Sequence, residues 1–394
     1  MAFFRNDTVN LLNLHYAVRA LAQGGGAFFA AFLLRSGVPA PAVLAALALI
    51  LAGRFVIRPL ILAPARRWGL KPLVVAGSLV GALQYPLLAE VHGVGWMLLA
   101  VCALSSVGDT LYWTAYHAYF ASLGDAEHRG HQIGAREALA AVVGIVAPLA
   151  GAWGLATAGP VWTFDVIALV QAASVLPLLG APNVPVAAEA PGALQVARRG
   201  ILLFCADGWF SAGFYYAWQV ALFGSLSQSL TAFGEAAALA GLVGAAVVLL
   251  FGRHIDKGHG RRATVIAYAV GAGVVALRAA SLGSPWLAVA ANAAGALVVA
   301  LVVPALMTAI YNLAKASPCP LRFHVATEGA WDIGCASGTL VAAALTWAGA
   351  PMAVSIALAL PAAGAAMWLL WRYYGAHPAE GGVEIEPRLL GEPL

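Results

Sequence analysis

Four stretches of the sequence set acidic, basic and aromatic side chains on single helical faces. Asp109, Tyr112, Trp113, Tyr116 and Phe120 fall at i, i+3, i+4, i+7 and i+11, with His117 at the edge of that face. Asp207, Ser211, Phe214, Tyr215 and Trp218 repeat the pattern, with Gln219 beside them. His324, Glu328 and Asp332 stack at successive i+4 steps next to Trp331, and His15, Arg19 and Gln23 do the same. An aromatic stripe alone is ordinary helix packing. A carboxylate or an arginine within it is not, because packing gains nothing from a charge.

The chemistry open to such stripes is proton exchange and the binding of charged or ring-bearing solutes. Asp109, Glu328 and Asp332 are candidates for taking up a proton or a cationic group, and Arg19 for a fixed positive charge. Glu328 and Asp332, one turn apart, repel when both are ionised, which suits proton exchange. The Trp and Tyr rings with Gln219 fit sugars, amphipathic organic molecules or organic cations, and the residues do not choose among them. Catalysis finds no support. There is no HExxH, no GxSxG and no phosphate-binding loop, and the His/Glu/Asp stripe has no nucleophile at helical spacing. The five methionines are scattered and the close pair His128 and His131 lies in a charged loop, so neither a metal nor a cofactor is expected. Cys102, Cys205, Cys319 and Cys335 have no CxxC spacing and read as small buried side chains.

The elements that must position these residues are set by composition. Of 394 residues 62% are hydrophobic and 10% charged, with a mean hydropathy of +0.85. So few charges cannot clothe a water-facing surface, and the apolar runs have helical length rather than the alternation of a membrane barrel. The expectation is an all-α membrane protein of twelve transmembrane helices in two six-helix bundles, near 8–34, 40–63, 71–90, 94–121, 131–157, 161–180, 199–223, 230–252, 263–282, 285–314, 323–348 and 351–374. Residues 1–180 form the first bundle, 181–198 a cytoplasmic linker, 199–374 the second bundle and 375–394 a disordered tail. Twelve ionisable residues other than histidine fall inside these spans: Arg19, Arg54, Arg58, Arg136, Arg278, Asp109, Glu137, Asp165, Asp207, Glu235, Glu328 and Asp332. Exposing them all to lipid would cost on the order of 30 kcal/mol, so they pair, line a wet cavity or, as expected for Asp165, Arg58 and Arg278, snorkel from span ends.

Lysine and arginine sort to one face. Arg66, Arg67, Lys71, Arg129, Arg198, Arg199, Arg253, Lys257, Arg261, Arg262, Lys315, Arg322 and Arg372 lie there against Arg35 on the other. By the positive-inside rule both termini are cytoplasmic, in a protein integral to the cytoplasmic (inner) membrane. The chain also repeats. Thr114-Ala115-Tyr116-His117 recurs as Thr308-Ala309-Ile310-Tyr311, Arg129-Gly130-His131 as Arg322-Phe323-His324, and Trp68–Lys71 aligns with His259–Arg262, at offsets of 194, 193 and 191.

The loop GRHIDKGHGRR, Gly252 to Arg262, resembles the cytoplasmic loop motif of the major facilitator superfamily: glycine, three residues, aspartate, then basic residues around a second glycine. This copy has one residue more than usual between Asp256 and Gly260, and the first-half copy, LAPARRWGLK, has Arg66 where the family has its aspartate. The resemblance implies that spans one, four, seven and ten line a central cavity, onto which the polar stripes fall. It implies that Asp256 rests against a neighbouring helix and helps hold a gate closed, with Gly252, Arg261, Arg262, Arg129 and Arg136 around it. It implies a secondary active transporter moving a small organic solute by alternating access. Proton coupling follows from the intramembrane acids. An uncoupled facilitator, or a non-transporting receptor or assembly factor on the same scaffold, remains open. The partners expected are a small-molecule substrate, protons and the lipid bilayer. Nucleic acid is not expected, and nothing in the sequence asks for more than a monomer.

Overall fold

The computed structural model of the chain describes residues 7–123, 129–255 and 260–376. Every regular element among them is helical. The first half runs through α1 (Asp7–Gly26), α2 (Phe29–Arg35), α3 (Ala40–Ile57), α4 (Leu62–Trp68), α5 (Leu70–Ala82), α6 (Gln84–Ala89), α7 (Trp96–Leu123), α8 (Arg129–Thr157), α9 (Gly159–Ala173) and α10 (Leu176–Leu179). The second runs through α11 (Ala193–Ser211), α12 (Trp218–Ser225), α13 (Leu230–Ile255), α14 (Gly260–Ala280), α15 (Pro285–Lys315), α16 (Pro320–Trp347), α17 (Met352–Ala357) and α18 (Ala359–Ala376). A 3-10 turn, Arg58–Ile61, joins α3 to α4 at Pro59, and a π-helical turn, Ala212–Ala217, joins α11 to α12. The tail expected at 375–394 lies outside the described residues beyond Ala376.

Eight helical stretches among the described residues are long and apolar enough to cross a bilayer. Among the described residues the expected spans 8–34, 199–223 and 323–348 do not meet that measure, and 131–157 is represented by the shorter apolar stretch Val142–Thr157, so the count of twelve is not reached on length and apolarity. For the first three the physical reason is their charge and their breaks. α1 ends after the run Gly24-Gly25-Gly26, α11 begins with Arg198 and Arg199 inside it, and α16 carries Arg322, Glu328 and Asp332. Membrane embedding is written on the outer surface. Trp96, Trp153, Trp162, Trp286 and Trp347 are exposed at helix ends opposite the basic loops, with Trp286 at 85%, as an aromatic belt requires. Arg66, Arg67, Arg198, Arg199, Arg261, Arg262 and Arg372 are exposed at the other, basic end.

The repeat is visible in the backbone. Gly93 and Gly283, and Gly159 and Gly349, lie 190 residues apart in matching turns, with φ of 95°, 87°, 82° and 83°. These left-handed values favour glycine, which is why the same residue closes the equivalent turn in each half. The repeated tetrapeptides match too, since Ala115 and Ala309, like Tyr116 and Ile310, have no exposed surface.

The segment 181–192 is not helical, and α11 starts at Ala193 rather than at the expected 199. This connection is anchored. Asn183 donates to the Trp68 carbonyl (2.7 Å), Lys71 Nζ donates to Ala181 O (2.7 Å), and Arg322 donates to Ala188 O (2.7 Å), so it touches both halves at the basic end.

Helices cross closely where glycine removes the side chain. In the second half, α11 lies on α16 with Gly208 against the Trp331 backbone and Gly334 against the Cys205 carbonyl. Between the halves, α3 packs on α16, and α8 packs on α13 through Gly234 beside Ala152 and Gly241 beside the Gly144 carbonyl. At the end away from the basic loops, Phe28 meets Phe233 edge-on at 5.7 Å. A Gly334→Ala substitution should therefore lower the melting temperature of the purified protein by about 2 °C or more through overpacking. Gly273→Ala, whose added carbon meets nothing within 4 Å, should hold or raise it. Equal melting temperatures for the two variants would show that α11 and α16 do not cross at these glycines.

Candidate functional site

The charged stripes meet between the halves. Arg54, in the last turn of α3, and Arg58, the helical cap residue that opens the 3-10 turn after it, stand four residues apart and so share a face, which lies against the face of α16 that carries His324, Glu328 and Asp332. Arg58 has no exposed surface. Its Nε donates to Asp332 Oδ2 at 2.9 Å, a second nitrogen donates to the same carboxylate, and a third reaches both Glu328 Oε2 and the Thr114 hydroxyl. Thr114 in turn donates to Glu328 at 3.4 Å. Arg54 contacts Asp332 Oδ1 at 3.0 Å and Asp109 Oδ2 at 3.6 Å. Arg19 of α1 closes the chain on Asp109 Oδ1 at 3.7 Å. Three arginines thus face three carboxylates in a continuous array from α1 through α7 and α3 to α16.

Uncharged groups hold the array in place. The Arg19 guanidinium lies 3.5 Å from the centre of the Tyr112 ring, a cation–π contact that replaces part of its lost hydration. The Tyr112 hydroxyl meets His15 Nε2 at 3.1 Å, and His15 Nδ1 meets the Ser174 carbonyl at 2.6 Å. On the far side Trp331 donates to Asp207 Oδ2 at 2.9 Å while its ring lies 5.8 Å from the Arg54 guanidinium. His117 Nδ1 meets Glu328 Oε1 at 2.9 Å.

Several placements differ from the sequence reading. Arg58 and Arg278 do not snorkel; both are buried, Arg58 among acids and Arg278 within the second half, where it donates to Phe214 O at 2.5 Å and lies over the Phe214 and Trp218 rings. Tyr112 and Tyr116 are fully buried and stack on each other, so they support Arg19 rather than line an open site. Trp218 is buried and donates to Asn292 at 2.9 Å. The stripe divides at the π turn, Ala212–Ala217. Tyr215, 39% exposed, lines a cavity of about 190 Å³ with Asp207, Phe210, Ser211 and Trp331, while Tyr216 packs beside Cys335 and Leu51 next to the array. Gln219 is half-buried. Arg261, expected at a gate between halves, instead donates to Trp371 O at 3.2 Å and stacks on its ring within the second half. Arg262 is exposed. Asp256 and His128 lie outside the described residues, as do the side chains of Arg129, His131, Arg136 and Glu137 and the surroundings of Gly252.

Arg54, Arg58 and Thr114 complete the array and are not among the site residues expected from sequence. A signal for the arginines existed: two basic residues at i, i+4 on one helix match two acids at i, i+4 on another.

Comparison with solved structures places the fold. The human organic anion transporter MFSD10 matches with a TM-score of 0.63 over 92% of this chain and 99% of its own, at 16% identity. A point mutant of the nucleoside transporter NupG matches with a TM-score of 0.65 over 93% and 99%, at 14% identity. The chain has the major facilitator fold. No protein-family model and no curated protein matches its sequence.

The array makes a stability prediction. Arg58→Met strands two buried carboxylates and should cost about 3–5 kcal/mol, read as a large fall in thermal stability. Adding Glu328→Gln to Arg58→Met should recover part of that loss. A double variant that simply sums the two single penalties would show that Arg58 and Glu328 are not coupled.

Proposed function

We propose that this protein is a secondary active transporter that moves a small organic solute with protons by alternating access. The major facilitator fold supports a transporter, and the cross-half charge array supports the mechanism. In this reading twelve spans form two six-helix bundles, residues 1–180 and 199–374, in the cytoplasmic membrane, with both termini and the basic end cytoplasmic. The protein acts as a monomer.

The observation that carries the proposal is the division of charge across the boundary. Arg19, Arg54, Arg58 and Asp109 belong to the first half, Glu328 and Asp332 to the second. Together they balance. Separation of the halves at the basic end would leave a net charge of about +2 on one wall and about −2 on the other, each in a poorly solvated groove. Protons taken up by Glu328 and Asp332 relieve one wall, and an anionic group of the substrate relieves the other. Closing again requires the arginines to regain deprotonated acids, which releases the protons. That cycle ties proton movement to opening, and it favours an organic anion as substrate. Asp109 keeps both of its arginine partners within its own half and acts as a fixed counter-charge. The aromatic contact of Phe28 with Phe233 supports a second closure at the opposite end.

Proteoliposome flux under an imposed pH gradient, using substrates chosen by thermal stabilisation from organic anions, nucleosides, sugars and organic cations, tests this. Glu328→Gln and Asp332→Asn should abolish gradient-driven accumulation while substrate exchange persists. Asp109→Asn should weaken substrate binding more than coupling. Gradient-driven accumulation that is unchanged in folded Glu328→Gln and Asp332→Asn proteins would rule out this coupling route.

A further inference from the structure

Glu328 uses its two carboxylate oxygens differently. Oε2 takes Arg58 and Thr114, whereas Oε1 faces two imidazoles, His117 Nδ1 at 2.9 Å and His324 Nδ1 at 3.8 Å. The two rings stand 5.8 Å apart, inclined at 64°. One donor atom from each of the three residues lies within 4.8 Å of the others, and among the described residues no other group of His, Cys, Asp and Glu does this.

From this geometry we infer that His117, His324 and Glu328 form a site for a divalent transition-metal ion of the zinc type, assembled only when the two halves meet. A tetrahedral ion with bonds of 2.0–2.2 Å holds neighbouring donors roughly 3.4 Å apart, a value bracketed by the separations seen here. Two imidazoles and one carboxylate suit zinc rather than magnesium or calcium, which prefer oxygen ligands throughout. Three protein donors leave a fourth position for water or another small ligand. Arg58 and Thr114 are the outer partners such a site needs, since by occupying Oε2 they turn Oε1 toward the histidines. Metal binding needs the Nδ1 lone pairs, so both rings would carry their proton on Nε2. The His117 side chain is 27% exposed, which gives an ion a way in.

The position of the site gives it a consequence. His117 lies on α7 in the first half, and His324 and Glu328 lie on α16 in the second. An ion held by all three pins the halves together at the basic end and so arrests any cycle that opens there. Binding itself is independent of whether the protein transports.

Titration of the full-length purified protein with zinc chloride, followed by calorimetry and by melting temperature, tests the site. One saturable site is expected, with a rise in melting temperature on binding. Affinity should fall about tenfold or more in His117→Gln and in His324→Gln. It should be unchanged in His92→Gln, a histidine in the exposed turn before α7. Absence of saturable zinc binding by the unaltered protein, or full affinity in both ligand variants, overturns the inference. Should His117→Gln fail to fold, His117→Cys keeps a donor in place and should bind cadmium more tightly than the unaltered protein. A folded His117→Cys protein that takes up neither zinc nor cadmium overturns it equally.

Discussion

The guanidinium of Arg58 is a full charge with no contact with water or lipid, and the centre of the molecule is arranged around it. An unpaired charge there would cost several kcal/mol, so its donors must find acceptors. They find two carboxylates and a hydroxyl, on α16 and α7. Each acceptor brings its own requirement. Asp332 draws in Arg54, Arg54 draws in Asp109, and Asp109 draws in Arg19, whose charge rests on Tyr112. One buried arginine thus accounts for a row of residues on four helices.

That row crosses between halves whose other main contact is of a different kind. Where α8 meets α13 the partners are small: Gly234 beside Ala152, and Gly241 beside the Gly144 backbone. At these crossings the contact is van der Waals, and the glycines offer no side chain to interlock. The α3–α16 surface is held by directional charge pairs whose alternatives are water, protons or a ligand. In the proposed cycle the halves part at the polar contact, which leaves the packed core of each in place. Within the second half α11 and α16 cross backbone to backbone at Gly208 and Gly334.

The same polar contact gathers the chemistry. Glu328 divides its oxygens between an arginine from one half and two histidines, one from each half. A group that bonds across a boundary senses whether the boundary is closed. This is why the proton reading and the metal reading fall on one residue while resting on different atoms of it.

The sequence by itself determined the membrane class, the helical content, the division of basic residues to one end and the faces on which Asp109, Glu328 and Asp332 lie. These follow from composition and from periods of three and four, which are properties of single helices. It also held the repeat, which the paired turn glycines at 93 and 283 and at 159 and 349 make visible in the backbone. Other features are properties of pairs of helices and were decided by tertiary structure. Arg58, next to Pro59 and close to the basic loop, has the same sequence signature whether it snorkels or is buried; the acids across from it on α16 decide. Phe214 and Trp218, which share the sequence stripe with Asp207 and Tyr215, are buried under Arg278 instead, and local periodicity has no sign of the π turn between α11 and α12. His117 and His324 are 207 positions apart in sequence, and only the packing of α7 on α16 brings their rings to one carboxylate oxygen.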